Sequence, residues 1–310
     1  MVSYIFRRLL QMIPIIFGVA FMVFALFNSV GEDPVRVALG NHATPEAIAA
    51  LKAKWGLDKS IPLQFLDFLG QIVTFDFGYS FNSGERLTQL FGKGMLVSLS
   101  LTAPPYFIGI CLYVSIALLI AYFRGHWLDK FSRYIFVAMM SITYLVYIIF
   151  FQWLLAFEFG MFPIRGYSSG LGMIEYLALP WIIFLVVAVG PDVRMYRTIF
   201  LDEIKADYVK TARAKGCSEI KVLFKHVLKN AMIPILTYTI IGIPYLILGA
   251  FLMERFFSIP GIGDLMINAI NTGDFPILKG LTITIAIGYS LFNLLTDILY
   301  AYVDPRVKLG

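Results

Sequence analysis

The chain has 310 residues, of which 59% are hydrophobic and 15% are charged, and its formal net charge is +5. Soluble domains contain roughly 45–50% apolar residues even when Gly is counted. This much apolar surface exceeds what one soluble core can bury, so we expect a protein of the lipid bilayer. The positive charge lies mainly in loops between apolar runs, and no pattern typical of nucleic-acid binding is present.

Six apolar runs follow one another along the chain. They cover residues 9–30, 96–123, 134–157, 176–191, 231–253 and 280–303. Because a helix needs about 20 predominantly apolar residues to cross a bilayer, the sequence predicts an all-α membrane protein with six transmembrane helices. The fourth run is the shortest. The first is too long for the apolar region of a cleaved signal peptide, which holds about 7–15 residues, so we interpret it as a span.

The basic residues predict the orientation of the spans. Arg and Lys precede the first run, connect the second and third, fill residues 192–230 and follow the sixth. With six spans all of these fall on one side, so the positive-inside rule places both termini in the cytoplasm. The predicted divisions are a first span in residues 1–30, an extracytoplasmic helical segment in residues 31–93, a core in residues 94–304 and a cytoplasmic tail in residues 305–310.

The 31–93 segment carries helix signals and lacks the composition of a flexible linker. Thr44 suits an N-cap with Pro45 at the first helical position, and Gly56 suits the left-handed residue that ends a helix. A second helix is predicted from Pro62. Two roles fit this pattern, packing over the helix bundle and docking an extracytoplasmic partner.

Residues 192–230 form a polar loop with nine Lys or Arg and five Asp or Glu. Helical periodicity predicts one helix over residues 202–215. Four of its residues are expected on a shared face: Ile204, Tyr208, Thr211 and Ala212. Gly216 is expected to end this helix in the left-handed conformation and Ser218 to cap the next one. The loop either covers the inner face of the bundle or docks a cytoplasmic partner, and its small residues with basic flanks favour docking.

The 254–279 segment begins with the stretch SIPGIG at residues 258–263, which is rich in helix breakers. A short helix is predicted over residues 264–271, ended by Gly273. A surface loop and an outer gate or docking site fit this segment equally well.

Patterns for common catalytic and metal sites are missing from the sequence. There is no Walker A, G-x-S-x-G or H-E-x-x-H stretch, and the three histidines lie outside the predicted spans. We therefore predict neither an enzyme nor a metal site. Asp297 is the one ionisable side chain expected within a span, near an end where water or a basic partner can reach it. Cys111 and Cys217 are not expected to pair.

Several short stretches, each weak alone, occur in a specific order. They are YIFRRLL (residues 4–10), TPE (44–46), WGLD (55–58), DFGYS (76–80), YVKTARAKG (208–216), PGIG (260–263) and DPR (304–306). In this order they resemble, through nearly the whole chain, the permease subunits of dipeptide/oligopeptide/nickel-type ABC importers. The general permease loop begins E-A-A and reaches a Gly four residues later. Here Ala212 and Gly216 match, whereas Lys210 and Thr211 depart from it.

The resemblance implies a type I ABC importer permease fold in a bacterial inner membrane. It implies as partners a second homologous permease, two cytoplasmic ABC ATPase subunits and an extracytoplasmic solute-binding protein. ATP and Mg²⁺ would be bound by the ATPase subunits, and this chain would bind no cofactor. The 208–229 loop would couple to an ATPase through Tyr208, Thr211, Ala212, Ala214, Gly216 and His226. The outer gate or binding-protein docking site would include Glu254, Pro260, Gly261 and Gly263.

Two other classes of protein stay open. A stand-alone secondary transporter would need coupling-ion sites and often an inverted repeat, and neither is clear in this sequence. A scaffold for cytoplasmic proteins would need no gate. The cargo also stays open among dipeptide, longer peptide, murein peptide, nickel chelate and sugar, as does whether the partner permease is the same or a different chain.

Overall fold

The computed structural model of this chain describes residues 2–29, 34–39, 44–246, 248 and 250–303, which are mostly helical and contain no β-strand. Its helices are α1 (Val2–Ser29), α2 (Pro34–Leu39), α3 (Pro45–Trp55), α4 (Ile61–Thr74), α5 (Leu87–Tyr122), α6 (Trp127–Ser141), α7 (Tyr144–Phe151), α8 (Met173–Ile204), α9 (Asp207–Ala214), α10 (Glu219–Lys221), α11 (Leu228–Gly242), α12 (Phe251–Phe257), α13 (Ile262–Thr272) and α14 (Phe275–Val303). The predicted tail at 305–310 and the boundaries at 30/31 and 304/305 lie outside these residues.

Five helical stretches are long and apolar enough to cross a membrane. They are Tyr4–Asn28, Leu87–Tyr122, Gly170–Ile204, Glu219–Leu246 and Phe275–Tyr300. A bent pair, Trp127–Ser141 with Tyr144–Glu158, brings the number to six if it counts as one span. By length and composition the structure therefore agrees with an all-α protein of five or six spans.

The third predicted span, residues 134–157, is wrong as a single helix. The chain leaves the helix at Ile142 and Thr143, which are both extended, and α6 and α7 meet at 93°. Ile and Thr are both β-branched, so they favour extended backbone. After α7 the helix widens into a π-helical stretch over Gln152–Glu158.

The fourth and fifth spans also differ from their predicted bounds. The fourth, predicted as the shortest, belongs to a 35-residue stretch that accommodates Pro180 and Pro191. The fifth was predicted over residues 231–253, but its helix already begins at Glu219 and ends at Leu246. Beyond it α12 is a separate helix, so one apolar run contains the end of a span and a short second element.

The 31–93 segment packs against α1 and the start of α14. The hydroxyl of Thr44 accepts the Ala47 amide at 3.3 Å and Gly56 is left-handed, so the predicted cap and stop of α3 are confirmed. The ring of Phe65 packs against the α1 rings of Phe17, Phe21 and Phe24. The buried Asp274 accepts from the Ser80 hydroxyl at 2.5 Å and from two backbone amides of the following turn. These contacts support the packing role.

Ionisable side chains within the spans are more numerous than predicted. The expectation for Asp297 is confirmed, because it pairs with Arg8 at 3.0 Å. It is not alone, however, because Asp192 lies in α8 and Lys279 in α14. Hydrophobicity averaged over a run does not reveal a single carboxylate or ammonium that a neighbouring helix accommodates.

A second ion pair fastens α6 to α8. The guanidinium of Arg197 contacts Asp129 Oδ1 at 2.9 and 2.5 Å, and the Gly125 amide donates to Asp129 Oδ2 at 3.2 Å. The Asp129 side chain is 4% exposed and that of Arg197 16%. Relative to an apolar pair of similar volume, a buried ion pair contributes little net stability. Removing one partner, however, leaves the other charge buried and unpaired.

We predict that Asp129→Asn destabilises the protein by about 3 kcal/mol, the lower end for breaking a buried pair. The measurement is thermal unfolding of the purified protein in detergent. The matched control is Asp207→Asn, which breaks the Lys210 pair whose side chains are 69% and 94% exposed. Water screens the charges of this exposed pair, which therefore contributes little to stability, so equal shifts in the two variants would contradict the prediction.

Candidate functional site

The 192–230 loop is divided differently from its prediction. The helix of the fourth span continues through Ile204, then Ala206 is extended and α9 begins at Asp207. The predicted single helix over residues 202–215 is therefore wrong. The acidic Asp207 in the first turn of α9 is favoured by the positive end of the helix dipole, which gives this new start a local physical basis.

Gly216 ends α9 as predicted. Its φ is +77°. The Gly216 amide donates to the Arg213 carbonyl at 2.9 Å and the Cys217 amide to the Ala212 carbonyl at 3.2 Å, which is the Schellman pattern. A Cβ at this position would meet no atom within 4 Å. The requirement for glycine is therefore conformational, because left-handed backbone is unfavourable for a side chain.

One face of α9 is buried against the bundle. Val209 and Ala212 are buried, whereas Tyr208 and Thr211 are exposed. The predicted shared face is wrong in this respect, because only Ile204 and Ala212 of its four members face inward. Of the other predicted contact residues, Ala214 and Gly216 are exposed and His226 is half-buried.

Tyr208 is tied back to the end of α8. Its hydroxyl donates to the Glu203 carboxylate. Partial burial and this hydrogen bond together raise the pKa of Tyr208 to about 12. The phenol therefore stays protonated at neutral pH and keeps its role as a donor, so α9 is braced against α8 on its exposed side as well.

The second part of the loop is continuous with the fifth span. Ser218 is extended, as an N-cap residue should be, but its side chain makes no capping hydrogen bond. The Arg213 guanidinium instead contacts the two Glu219 oxygens at 2.9 and 3.0 Å across the turn. From Glu219 the chain passes through a π-helical stretch, Val222–Val227, into α11 without a break.

This second part is also amphipathic. Val222, Leu223 and Val227 are buried in the same core cluster as Val209 and Ala212. On the opposite side Ile220 is 61% exposed and Phe224 58%. The loop therefore presents exposed apolar side chains between basic residues while its other face is fixed to the bundle.

A second group of predicted residues surrounds the buried carboxylate of Glu254. This side chain is fully buried, and among the described residues no Lys or Arg lies within ion-pair distance of it. Its Oε1 accepts from the Ser98 hydroxyl at 2.7 Å and the Ala250 amide at 3.2 Å. Its Oε2 accepts from the amides of Gly263 and Asp264 at 2.6 and 3.0 Å. Four donors replace water around the charge.

The glycines beside Glu254 are required by the closeness of this contact. A Cβ on Gly261 would lie 2.4 Å from Glu254 Cδ, and one on Gly263 would lie 2.1 Å from the Phe251 ring. Both glycines are buried, whereas Pro260 is exposed. Of the four residues predicted for a gate or docking site, only Pro260 is exposed. Glu254, Gly261 and Gly263 are buried and fix the conformation of the segment.

The structure does not bring the predicted loop residues, 208–226, close to the group around Glu254. They lie at opposite ends of the Glu219–Leu246 stretch, whose 28 residues span about 40 Å as a helix. The role of Ser98 was not predicted: its hydroxyl donates to Glu254 and accepts the Ile262 amide at 2.8 Å. A serine within an apolar run gives no signal of this kind, although a glutamate followed closely by two glycines is consistent with a backbone-bound carboxylate.

The fold defines an integral membrane protein with helical polar segments at both ends of a long helix. Residues 113–309 match the model of the family described as binding-protein-dependent transport system inner membrane component, and residues 1–102 match the model of its N-terminal region. The chain belongs to this family. Its members are transport components and not enzymes.

Relatives along the whole chain agree with this assignment. The dipeptide transport system permease protein of Alkalihalophilus pseudofirmus is 30% identical, over 99% of this chain and 100% of the relative. The glutathione transport system permease protein of Shigella flexneri is 29% identical, over 99% of each chain. The protein is thus a multi-pass inner-membrane permease of an ABC importer.

We predict that Glu254→Gln releases the turn after α12. The amide of Gln would place an N–H donor against backbone N–H donors that now contact a carboxylate oxygen. Leaving such groups unsatisfied costs about 1–3 kcal/mol. Hydrogen exchange of the Gly263 and Asp264 amides should therefore accelerate about tenfold or more.

The control is Glu158→Gln, since Glu158 is an exposed carboxylate elsewhere in the chain. It should leave exchange at Gly263 and Asp264 unchanged. Unaltered protection of these amides in Glu254→Gln would mean that the carboxylate does not hold the turn.

Proposed function

We propose that this chain forms half of the translocation path of an ATP-driven peptide importer and couples to a cytoplasmic ATPase through the 208–229 loop. The observation that carries the proposal is the continuity of this loop with a span. The buried face of α9 packs on Val222, Leu223 and Val227, and from there the helix runs on to Leu246. A force on α9 is therefore applied to the fifth span itself.

The exposed side of the loop supplies a surface for the ATPase. Tyr208, Thr211, Ala214 and Gly216 are exposed on or next to α9, and Ile220 and Phe224 extend this surface with apolar side chains. Exposed apolar side chains rimmed by charge are typical of docking sites. Ala212 lies beneath this surface and packs against the bundle. His226 is half-buried in the π-helical stretch.

The remaining parts of the proposal follow from the family and the charge distribution. Both termini lie in the cytoplasm, a related permease completes the path, and two ATPase subunits bind ATP and Mg²⁺. A solute-binding protein docks near Pro260 on the other side of the membrane. A peptide cargo is supported by the dipeptide and glutathione transport named for the relatives.

Co-purification tests the assembly. The chain is tagged at its C-terminus, extracted gently from native membranes, and its companions are identified by mass spectrometry. We expect ATPase subunits and a second permease. Recovery of the chain alone, still moving solute into vesicles without ATP, would refute the proposal and favour a stand-alone secondary transporter.

Gly216→Val should abolish ATP-driven uptake while membrane insertion is retained. A left-handed residue with a side chain costs roughly 1–2 kcal/mol, so the Schellman turn would open and α9 would lose its fixed position over the fifth span. The measurement is uptake of labelled peptides by vesicles that contain the whole importer.

The matched control is Gly160→Val. Gly160 has φ +60°, a Cβ there would also meet no atom within 4 Å, and it lies in the exposed loop after the Gln152–Glu158 stretch. The two variants impose similar local strain, so equal uptake in both would show that the position of α9 is not needed for coupling.

A further inference from the structure

A polar cluster lies where α8 and α11 face each other inside the bundle. The Tyr238 hydroxyl donates to Asp192 Oδ1 at 2.9 Å. The ring of Tyr196 packs edge-on against Tyr238 with 5.6 Å between centroids, and its hydroxyl lies 3.3 Å from Thr239 Oγ1. All of these residues belong to the fourth and fifth candidate spans, where a polar cluster is costly unless it has a partner or a role.

The surroundings of Asp192 differ from those of Asp129 and Asp297. Asp129 and Asp297 each pair with an arginine, whereas within the described part of the chain no Lys or Arg lies within ion-pair distance of Asp192. The Tyr238 hydrogen bond engages Oδ1, and a carboxylate can accept at both oxygens. The residue is also only partly buried, so a ligand can approach it.

We propose that Asp192, oriented by Tyr238, binds the ammonium group of the transported solute inside the translocation path. The inference rests on the proposed function, in which the cargo is a peptide. A peptide α-amine has an ordinary pKa of about 8 and is mostly protonated at neutral pH. Its N–H donors can engage the Asp192 carboxylate, which the half-buried Tyr238 phenol orients.

The first test is transport by the complete importer in proteoliposomes, supplied with ATP and a mixture of labelled dipeptides and tripeptides. Asp192→Asn should slow uptake about tenfold or more, as expected when a charge-assisted hydrogen bond is lost. ATP hydrolysis stimulated by the binding protein should persist. Asp192→Glu should restore most of the uptake, and Tyr238→Phe should reduce it less than Asp192→Asn.

Glu175→Gln is the matched control, because it makes the same chemical change at an exposed position near the other end of α8. Uptake should be unchanged in this variant. Wild-type uptake by Asp192→Asn would overturn the inference. Loss of the second permease on purification of Asp192→Asn would also overturn it, because Asp192 would then serve the subunit interface.

A second readout reports the charge directly. Met195 lies one turn from Asp192 and is 41% exposed, so Met195→Cys, with Cys111 and Cys217 replaced by Ser, places a reporter thiol beside the site. A cationic thiosulfonate should label it faster than an anionic one, and Asp192→Asn should reduce that ratio several-fold. An unchanged ratio, or no labelling from either side of the membrane, contradicts the inference. Failure of the wild-type importer to take up any peptide with ATP would instead refute the proposed function.

Discussion

Backbone groups inside a bilayer have no water to bond with, so every place where a spanning helix stops must find partners within the protein. The end of the fifth span shows how this chain meets that constraint. The Thr102 hydroxyl donates to the Leu246 carbonyl at 3.1 Å, and Glu254 accepts the amides of Ala250, Gly263 and Asp264. Because a buried carboxylate replaces the lost helical acceptors, the chain can leave the helix there and form α12 and α13.

The same helix connects this arrangement to the 192–230 loop. At its beginning α9 packs on Val222, Leu223 and Val227, and at its end the Thr102 hydroxyl contacts the Leu246 carbonyl. Alternating access requires an element with two arrangements that ligands on each side can bias. A continuous helix fastened at both ends to short, packed segments is suited to that task, since little displacement is lost in flexible connections.

Helix ends at glycines were predicted well from the sequence, whereas helix breaks inside apolar runs were not. The stops at Gly56, Gly216 and Gly273 follow from the conformational freedom of glycine, which the sequence shows directly. The bend at Ile142 and Thr143 and the end of the fifth helix occur inside apolar runs, where hydropathy is uniform across the break. The fifth helix ends where the Thr102 hydroxyl meets the Leu246 carbonyl, a tertiary contact that no local pattern places. The β-branched pair at the bend is a weak local signal, because Ile182 and Ile183 are helical in α8. The burial of the residues proposed for the two sites was not predicted, because it too is set by packing.

The ionisable groups of the spans show which charges the fold compensates for itself. Arg8 neutralises Asp297, and Arg197 neutralises Asp129. The ammonium of Lys279 lies 5.2 Å from the centre of the Phe24 ring, close to the end of α14 where the 31–93 segment packs. Within the described residues, Asp192 contacts the neutral Tyr238 phenol, and no Lys or Arg lies within ion-pair distance of it. Glu254 has four hydrogen-bond donors in place of a counter-charge, whereas the described residues give Asp192 the Tyr238 donor, so the Asp192 carboxylate can accept from a cation that arrives from outside the chain.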